Sequence, residues 1–270
     1  MATGGTLSGG TAPDEFRERL RFYEYDRYIA ALLMPRAARE ALMLISAFAA
    51  ELRHIPVTVS EPMLGAIRLQ WWRDVVSGWS GPKWDEGAAT GHPLADALAD
   101  VVTKYGLPVG LLQGMIDATE TELNPTPLGD ETDVGQVFGK WDGAAFALSA
   151  RVLGGGMSVD QRRAAGVHYG AARAAAEFAA RYAAGVQTYV VAGSRDASTL
   201  VAMSRAAGSE LDKMRSDLDA PAKRALLPIA TVPRYVASAA MPPQHSRAIE
   251  PPSRLGRASA ILWRHWRGRL

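Results

Sequence analysis

The sequence predicts an all-α protein, a single helical bundle of about nine or ten helices. Three observations carry that expectation. Apolar residues recur at three-and-four spacing along nearly the whole chain. No alternating strand pattern bounded by turn residues appears. Prolines and glycines fall where periodic runs begin and end, as helix punctuation does.

Residues 1–13 are small and polar, without Lys or Arg, and read as a disordered tail rather than a signal or transit peptide. The helical domain is expected over 14–270. Its first helix, 14–34, is amphipathic and rich in Arg and Tyr. Pro35 opens a second, with Leu42, Ile45, Ala49 and Leu52 on one stripe, and Pro56 is expected to stop it. Ser60 is placed to cap a third whose first turn holds Glu61 and Pro62. A Gly/Pro/Trp loop follows over 78–91. Pro93 opens a fourth helix that ends at Gly106, and Pro108 opens a fifth reaching Leu123. After the loop 124–132, Asp133 is expected to cap a sixth helix running to Leu153. A glycine break at 154–156 separates it from a seventh, 158–191. An eighth covers 197–218 and a ninth 221–240. An extended segment, 241–254, leads to a basic last helix over 255–270.

The totals exclude several classes. The net charge of +2 is too small to argue for a specific nucleic-acid partner. The absence of cysteine removes disulfides, thiolate nucleophiles and Cys-based zinc sites. Five histidines share no metal-ligand spacing. No apolar run reaches the length of a membrane span, so a cytoplasmic protein is expected, with surface contact to a membrane left open.

The densest stretch is SEPMLGAIRLQWWRD, residues 60–74. Leu64, Ile67, Trp71 and Val75 recur on one face, which is expected to be the buried one. Glu61, Arg68 and Trp72 flank that face on one side, Gln70 and Asp74 on the other, and Arg73 points away. Either this is a core helix with a charged rim, or it is the wall of a pocket or partner surface. The last helix alternates Arg264, His265, Arg267 and Arg269 with Ile261, Leu262, Trp263 and Trp266. That pattern suits either a helix whose tryptophans cap the bundle or one lying on an anionic membrane through Trp263, Arg264, Trp266 and Arg267. Many helix positions are Ala or Gly, which lets helices approach closely or leaves room for a central cavity.

YDRYIAALLMPRAAREALMLISAFAAEL, SEPMLGAIRLQWWRDVVSG, HPLADALADVVTKYGLP, TDVGQVFGKWDGAAFALSARVLG and ALLPIATVPRY, in that order, resemble the squalene and phytoene synthases. The 60–74 stretch is most similar to a branch of mitochondrial complex I assembly factors and their bacterial relatives. The resemblance implies an isoprenoid-synthase fold around an apolar cavity. In active members two facing aspartate-rich motifs hold Mg²⁺ against the diphosphates of two prenyl substrates. A hard cation needs carboxylate oxygens, and carboxylates four apart on a helix can share one.

Those carboxylates are missing here. The first motif's positions fall on Arg53 and Val57, with Glu51 the nearest acid; the second motif's fall near Arg181 and Gly185, with Glu177 alone. Other acidic pairs, such as Asp96 and Asp100, or Asp117 with Glu120 and Glu122, read as solvated helix faces. The expectation is a non-catalytic protein without a metal cofactor, acting as a binding or assembly factor, with respiratory complex I as the concrete candidate. It would work at the inner face of a bacterial membrane, with a protein partner and a prenyl or lipid ligand in its cavity. The alternative is a Mg²⁺-dependent prenyl-diphosphate transferase.

Overall fold

A computed structural model describes residues 14–59, 61–80, 89–123, 131–183, 197–240 and 252–268. Among these residues all regular structure is helical. The anticipated tail at 1–13, the Ser60 cap, Gly185 and most of the three longer connections lie outside them.

The chain opens with α1 (Asp14–Tyr23) and α2 (Tyr25–Leu32) rather than one helix. The break is a single residue, Glu24, at φ −127° and ψ 41°. Helical bonding runs through it, because Glu24 N–H donates to Leu20 O and Tyr28 N–H to Glu24 O, both at 2.9 Å. The chain therefore kinks, and the kink turns a fully buried carboxylate inward.

α3 (Arg36–Thr58) is the central helix. Pro56 does not stop it but lies within its last turn, two residues before the end. Thr58 Oγ1 donates to His54 O (3.0 Å) and Ile55 O (3.3 Å), satisfying carbonyls that the helix end leaves open. Among the described residues α3 is the one helix long and apolar enough to cross a membrane, contrary to the sequence expectation, and most of it is buried in the core. It packs against α1, α2, α4 (Pro62–Gly78), α5 (Pro93–Tyr105), α6 (Val109–Leu123) and α7 (Glu131–Val152). Gly106 closes α5 in the left-handed conformation, φ +56°, as anticipated. Asp133 lies inside α7 and does not cap it.

After the glycine break, Ser158 and Gln161 form a reciprocal capping box at the start of α8 (Val159–Ala183). Gln161 N–H donates to Ser158 Oγ (3.1 Å) and Ser158 N–H to Gln161 Oε1 (2.9 Å). α7 and α8 cross at glycines. A Cβ on Gly166 would lie 2.5–2.8 Å from the backbone of Gly143 and Phe138, and one on Gly143 would collide with Arg162 O. The small residues of these helices thus serve close contact at this crossing. α9 (Ser198–Lys213) follows, ending in a short 3-10 turn. The anticipated helix 221–240 is interrupted: α10 (Ala220–Ala225), a 3-10 turn at Leu227–Thr231, then α11 (Val232–Ala239). Pro228 and Pro233 supply no amide donor, and each falls in the first turn of an element after the break, where none is needed. α12 (Arg254–Arg267) starts at a Ser253 cap and ends at Gly268, φ +58°.

Candidate functional site

The candidate site is a buried network of arginines and carboxylates that the helices bring inside. Glu24, at the kink, accepts from Arg27 Nη1, from Arg53 Nε (2.7 Å) and from Arg173 Nη1 (3.0 Å). Asp142 on α7 accepts from Arg27 Nη2 (2.8 Å) and more loosely from Arg53 Nη2 (3.3 Å). Five side chains from the kink, α2, α3, α7 and α8 thus form one network. Aromatic rings wall it in: the Arg53 guanidinium lies 3.5 Å from the Trp141 ring centroid, and Arg27 lies over Phe146 (5.0 Å) and Tyr169 (5.2 Å).

Its electrostatics follow from burial. Burial raises the Asp142 carboxyl above its usual range, while Arg53 and Arg27 pull it back down. Burial alone would lower Arg27 and Arg53, but Glu24 and Asp142 override it and hold both guanidiniums above their ordinary value. Glu122 and Glu177 act on Arg53 from farther off.

A second network adjoins the first through Tyr169. Asp26 on α2 accepts from Tyr169 (3.0 Å), Thr231 (3.0 Å), Tyr235 (2.7 Å) and Arg257 Nη1 (3.0 Å). Burial raises Asp26 too, against the opposing pull of Arg257 and the three hydroxyls. Burial and Asp26 together push the Tyr169 and Tyr235 phenols well above their ordinary range, so both stay protonated and donate.

The Mg²⁺ that the resemblance implies does not fit these residues. Glu24 and Asp142 are occupied by guanidinium groups fixed to the chain, and a divalent cation would have to displace them. Among the described residues no three His, Asp or Glu side chains converge as a ligand set. Of the degenerate motif positions, Arg53 sits at the centre of the network. Glu51 pairs with Arg19, and Val57 is exposed. Glu177 lies on α8 within electrostatic reach of Arg53. Arg181 lies in α8, and its side chain is outside the described set.

The 60–74 stretch is inverted relative to its expected orientation. The buried stripe of α4 is Gly65, Leu69, Trp72 and Val76, with Trp72 edge-on to Phe48 at 5.1 Å. Gly65 lets α4 close on α6, because a Cβ there would strike Leu123. Three of the four residues of the stripe expected inside face out instead, Leu64 48% exposed, Ile67 60% and Trp71 37%, joined by Met63 at 70%, while Val75 is half-buried against the core. Trp72 is therefore no part of a surface edge. Arg73 does not point away but bridges to Asp117 and Glu120 on α6, 2.9 Å each, so those acids are not free either. Glu61, Arg68 and Asp74 are exposed, Arg68 reaching Thr58 Oγ1 (3.4 Å) and Asp74 accepting from Gln70 (2.7 Å). In α12, Leu255, Trp263 and Trp266 are exposed (81%, 56% and 82%), whereas Arg257 and Ile261 are buried. Its tryptophans do not cap the bundle. Arg267 covers Trp263 at 4.0 Å, and Arg264 is half-buried, not part of the exposed face.

Sequence reading missed Glu24, Asp26, Arg27, Asp142, Arg173 and Arg257. The available signal was charge inside otherwise small or apolar runs, as at Asp142 in KWDGAAF and the Asp26–Arg27 pair in YDRYIAAL.

The comparisons with known proteins agree with this architecture. Complex I assembly factor 6 from Bos taurus is 30% identical over 125 residues, 46% of this chain and 36% of that protein. The Mus musculus protein of the same name is 26% identical over 137 residues, 51% of this chain and 40% of that one. The chain thus matches well under half the length of these relatives. Squalene synthase HpnC from Alicyclobacillus acidocaldarius superposes with a TM-score of 0.60 at 15% identity, covering 96% of this chain and 97% of that one. A dehydrosqualene synthase gives 0.53 at 10% identity, covering 93% and 97%. These two structures share the isoprenoid-synthase fold with the chain described here. The squalene/phytoene synthase family model matches residues 20–183, more than half of the sequence, and the chain belongs to that family.

Proposed function

We propose that this chain is a non-catalytic family member that works as an assembly factor, with respiratory complex I as the complex it serves. One observation carries the loss of catalysis. Arg53 stands at a first-motif carboxylate position and bonds Glu24 and Asp142, so guanidiniums of the chain take the place a metal would hold against these carboxylates. The names of the two relatives supply the complex. The partner surface is the exposed face of α4, Met63, Leu64, Ile67 and Trp71, flanked by Glu61 and Arg68, which suits an apolar face of a subunit or companion factor.

The test is native co-purification of wild type beside Leu64→Asp/Ile67→Asp. Both positions are exposed, so the variant should fold and melt like wild type while losing the complex I proteins that wild type retains. An unchanged co-purified set removes α4 as the partner face, and no complex I protein with wild type removes the assembly role. Release of pyrophosphate from farnesyl or geranylgeranyl diphosphate with Mg²⁺, absent in a metal-free control, would establish the transferase alternative.

The same reading places the protein at the cytoplasmic face of the membrane that carries the complex. α12 supports this with Leu255, Leu262, Trp263 and Trp266 exposed beside Arg267 and His265, the make-up of a helix that lies in an anionic interface. Trp263→Ser/Trp266→Ser is expected to weaken binding to phosphatidylglycerol vesicles by about tenfold or more. Wild-type binding by that variant would remove α12 as the contact.

A further inference from the structure

Sulfur in this chain is thioether only, with methionine present and cysteine absent. The fold hides most of the sulfur it describes. Met34 (4% exposed), Met115 (0%) and Met203 (8%) lie inside. Met43, Met157 and Met214 are partly buried against the core. Met63, in the first turn of α4, is instead 70% exposed.

Its position gives that exposure a consequence. Met63, Ile67 and Trp71 follow one another at i, i+4 and i+8, so they form a single ridge along the outer face of α4, with Leu64 beside it. An unbranched thioether at the end of such a ridge adapts its shape to an irregular apolar surface. One oxygen added to that sulfur reverses its character. A sulfoxide is polar and accepts hydrogen bonds, and burying it against an apolar surface without a donor is costly.

We propose that Met63 is a redox-controlled contact: a hydroperoxide oxidises it, and the sulfoxide weakens docking at the α4 face. The Met63 sulfur lone pair attacks a peroxide oxygen. The S–O bond forms as the O–O bond breaks, sulfur gives up two electrons, and the departing oxygen keeps the proton and leaves as water or an alcohol. The peroxide must reach the sulfur, which exposure allows at Met63 and burial denies at Met34 and Met115. The docking half of this inference rests on the assembly reading; the choice of Met63 as the oxidised sulfur does not.

The test treats the folded full chain with hydrogen peroxide, removes the peroxide with catalase and maps sulfoxides by peptide mass spectrometry. The treated chain is then immobilised and compared with untreated chain for complex I proteins retained from detergent-solubilised membranes. Sulfoxide at Met63 is expected to form about tenfold or more faster than at Met34, Met115 and Met203. Oxidised wild type should retain about tenfold less of those proteins, and methionine sulfoxide reductase with a dithiol should restore it. Met63→Leu, folded and melting like wild type because the position is exposed, should retain them equally before and after peroxide. Equal oxidation rates at Met63 and the buried methionines overturn Met63 as the site. Undiminished retention by oxidised wild type, or the same loss in oxidised Met63→Leu, overturns the control of docking. Untreated wild type that retains no complex I protein overturns the assembly reading and the docking half with it, while the oxidation rates still decide the site.

Discussion

Replacing Glu24 with Ala is expected to lower the unfolding free energy by ~3–5 kcal/mol, the scale on which breaking a buried ion pair destabilises a protein. Glu24 is fully buried and takes hydrogen bonds from three guanidiniums, on α2, α3 and α8. Removing it leaves Arg27, Arg53 and Arg173 facing Asp142 as the one remaining carboxylate of the network. Like charges then stand close together in a low-dielectric interior, and two helices lose their tie to the kink. Urea unfolding followed by circular dichroism measures the effect. Glu24→Gln keeps the shape but loses the charge and should recover only a minor part. A loss below about 1 kcal/mol would show that the network contributes no more than surface pairs do.

Asp26→Ala is expected to cost a similar ~3–5 kcal/mol, with a more local signature. Asp26, on α2, is the shared acceptor for α8, the turn before α11, α11 and α12. Arg257 is one of two buried anchors of α12, the other being Ile261. Without Asp26 the α12 anchor is left charged and unpaired beside Tyr235, to which it donates at 2.8 Å. Limited proteolysis should then cut between α11 and α12 well before the rest of the bundle, and a cleavage pattern identical to wild type would remove Asp26 as the α12 anchor. Burial raises the Asp26 carboxyl, so the folded state binds this proton more tightly than the unfolded chain. The stability tied to this titration is fully present below pH 3.8, the unfolded value, and is lost as pH rises through the raised folded value. Wild type should therefore gain on Asp26→Asn as pH falls from 7 toward 4. A gap that moved the other way would reverse the assignment.

Helix boundaries were legible wherever local chemistry sets them. Pro93 and Gly106 bracket α5, and the glycines at 154–156 separate α7 from α8. The orientation of α4 was not. Leu64–Ile67–Trp71 and Leu69–Trp72–Val76 both fit helical spacing, and the choice between them rests on Gly65, whose missing side chain lets α6 approach. The kink at Glu24 was invisible because the apolar period continues through it. The network was hidden for a different reason. Periodicity counts Arg and Asp as surface residues, and Asp142 meets its partner Arg27 across 115 positions of sequence. An acid alone in its helix looks like half of a metal pair, whereas Asp142 has its complement in an arginine on another helix.

The ion-paired interior resists a single change toward a metal site. Arg53→Asp, the step back toward a metal-binding motif, would set a third carboxylate beside Glu24 and Asp142 and remove a cation that bonds both. Arg27 and Arg173 would still hold the oxygens that a metal needs. That change is therefore expected to lower stability without freeing a carboxylate for a metal. Substitutions on the outer faces of α4 and α12 are expected to test binding while leaving stability intact, whereas the interior stays committed to its arginines.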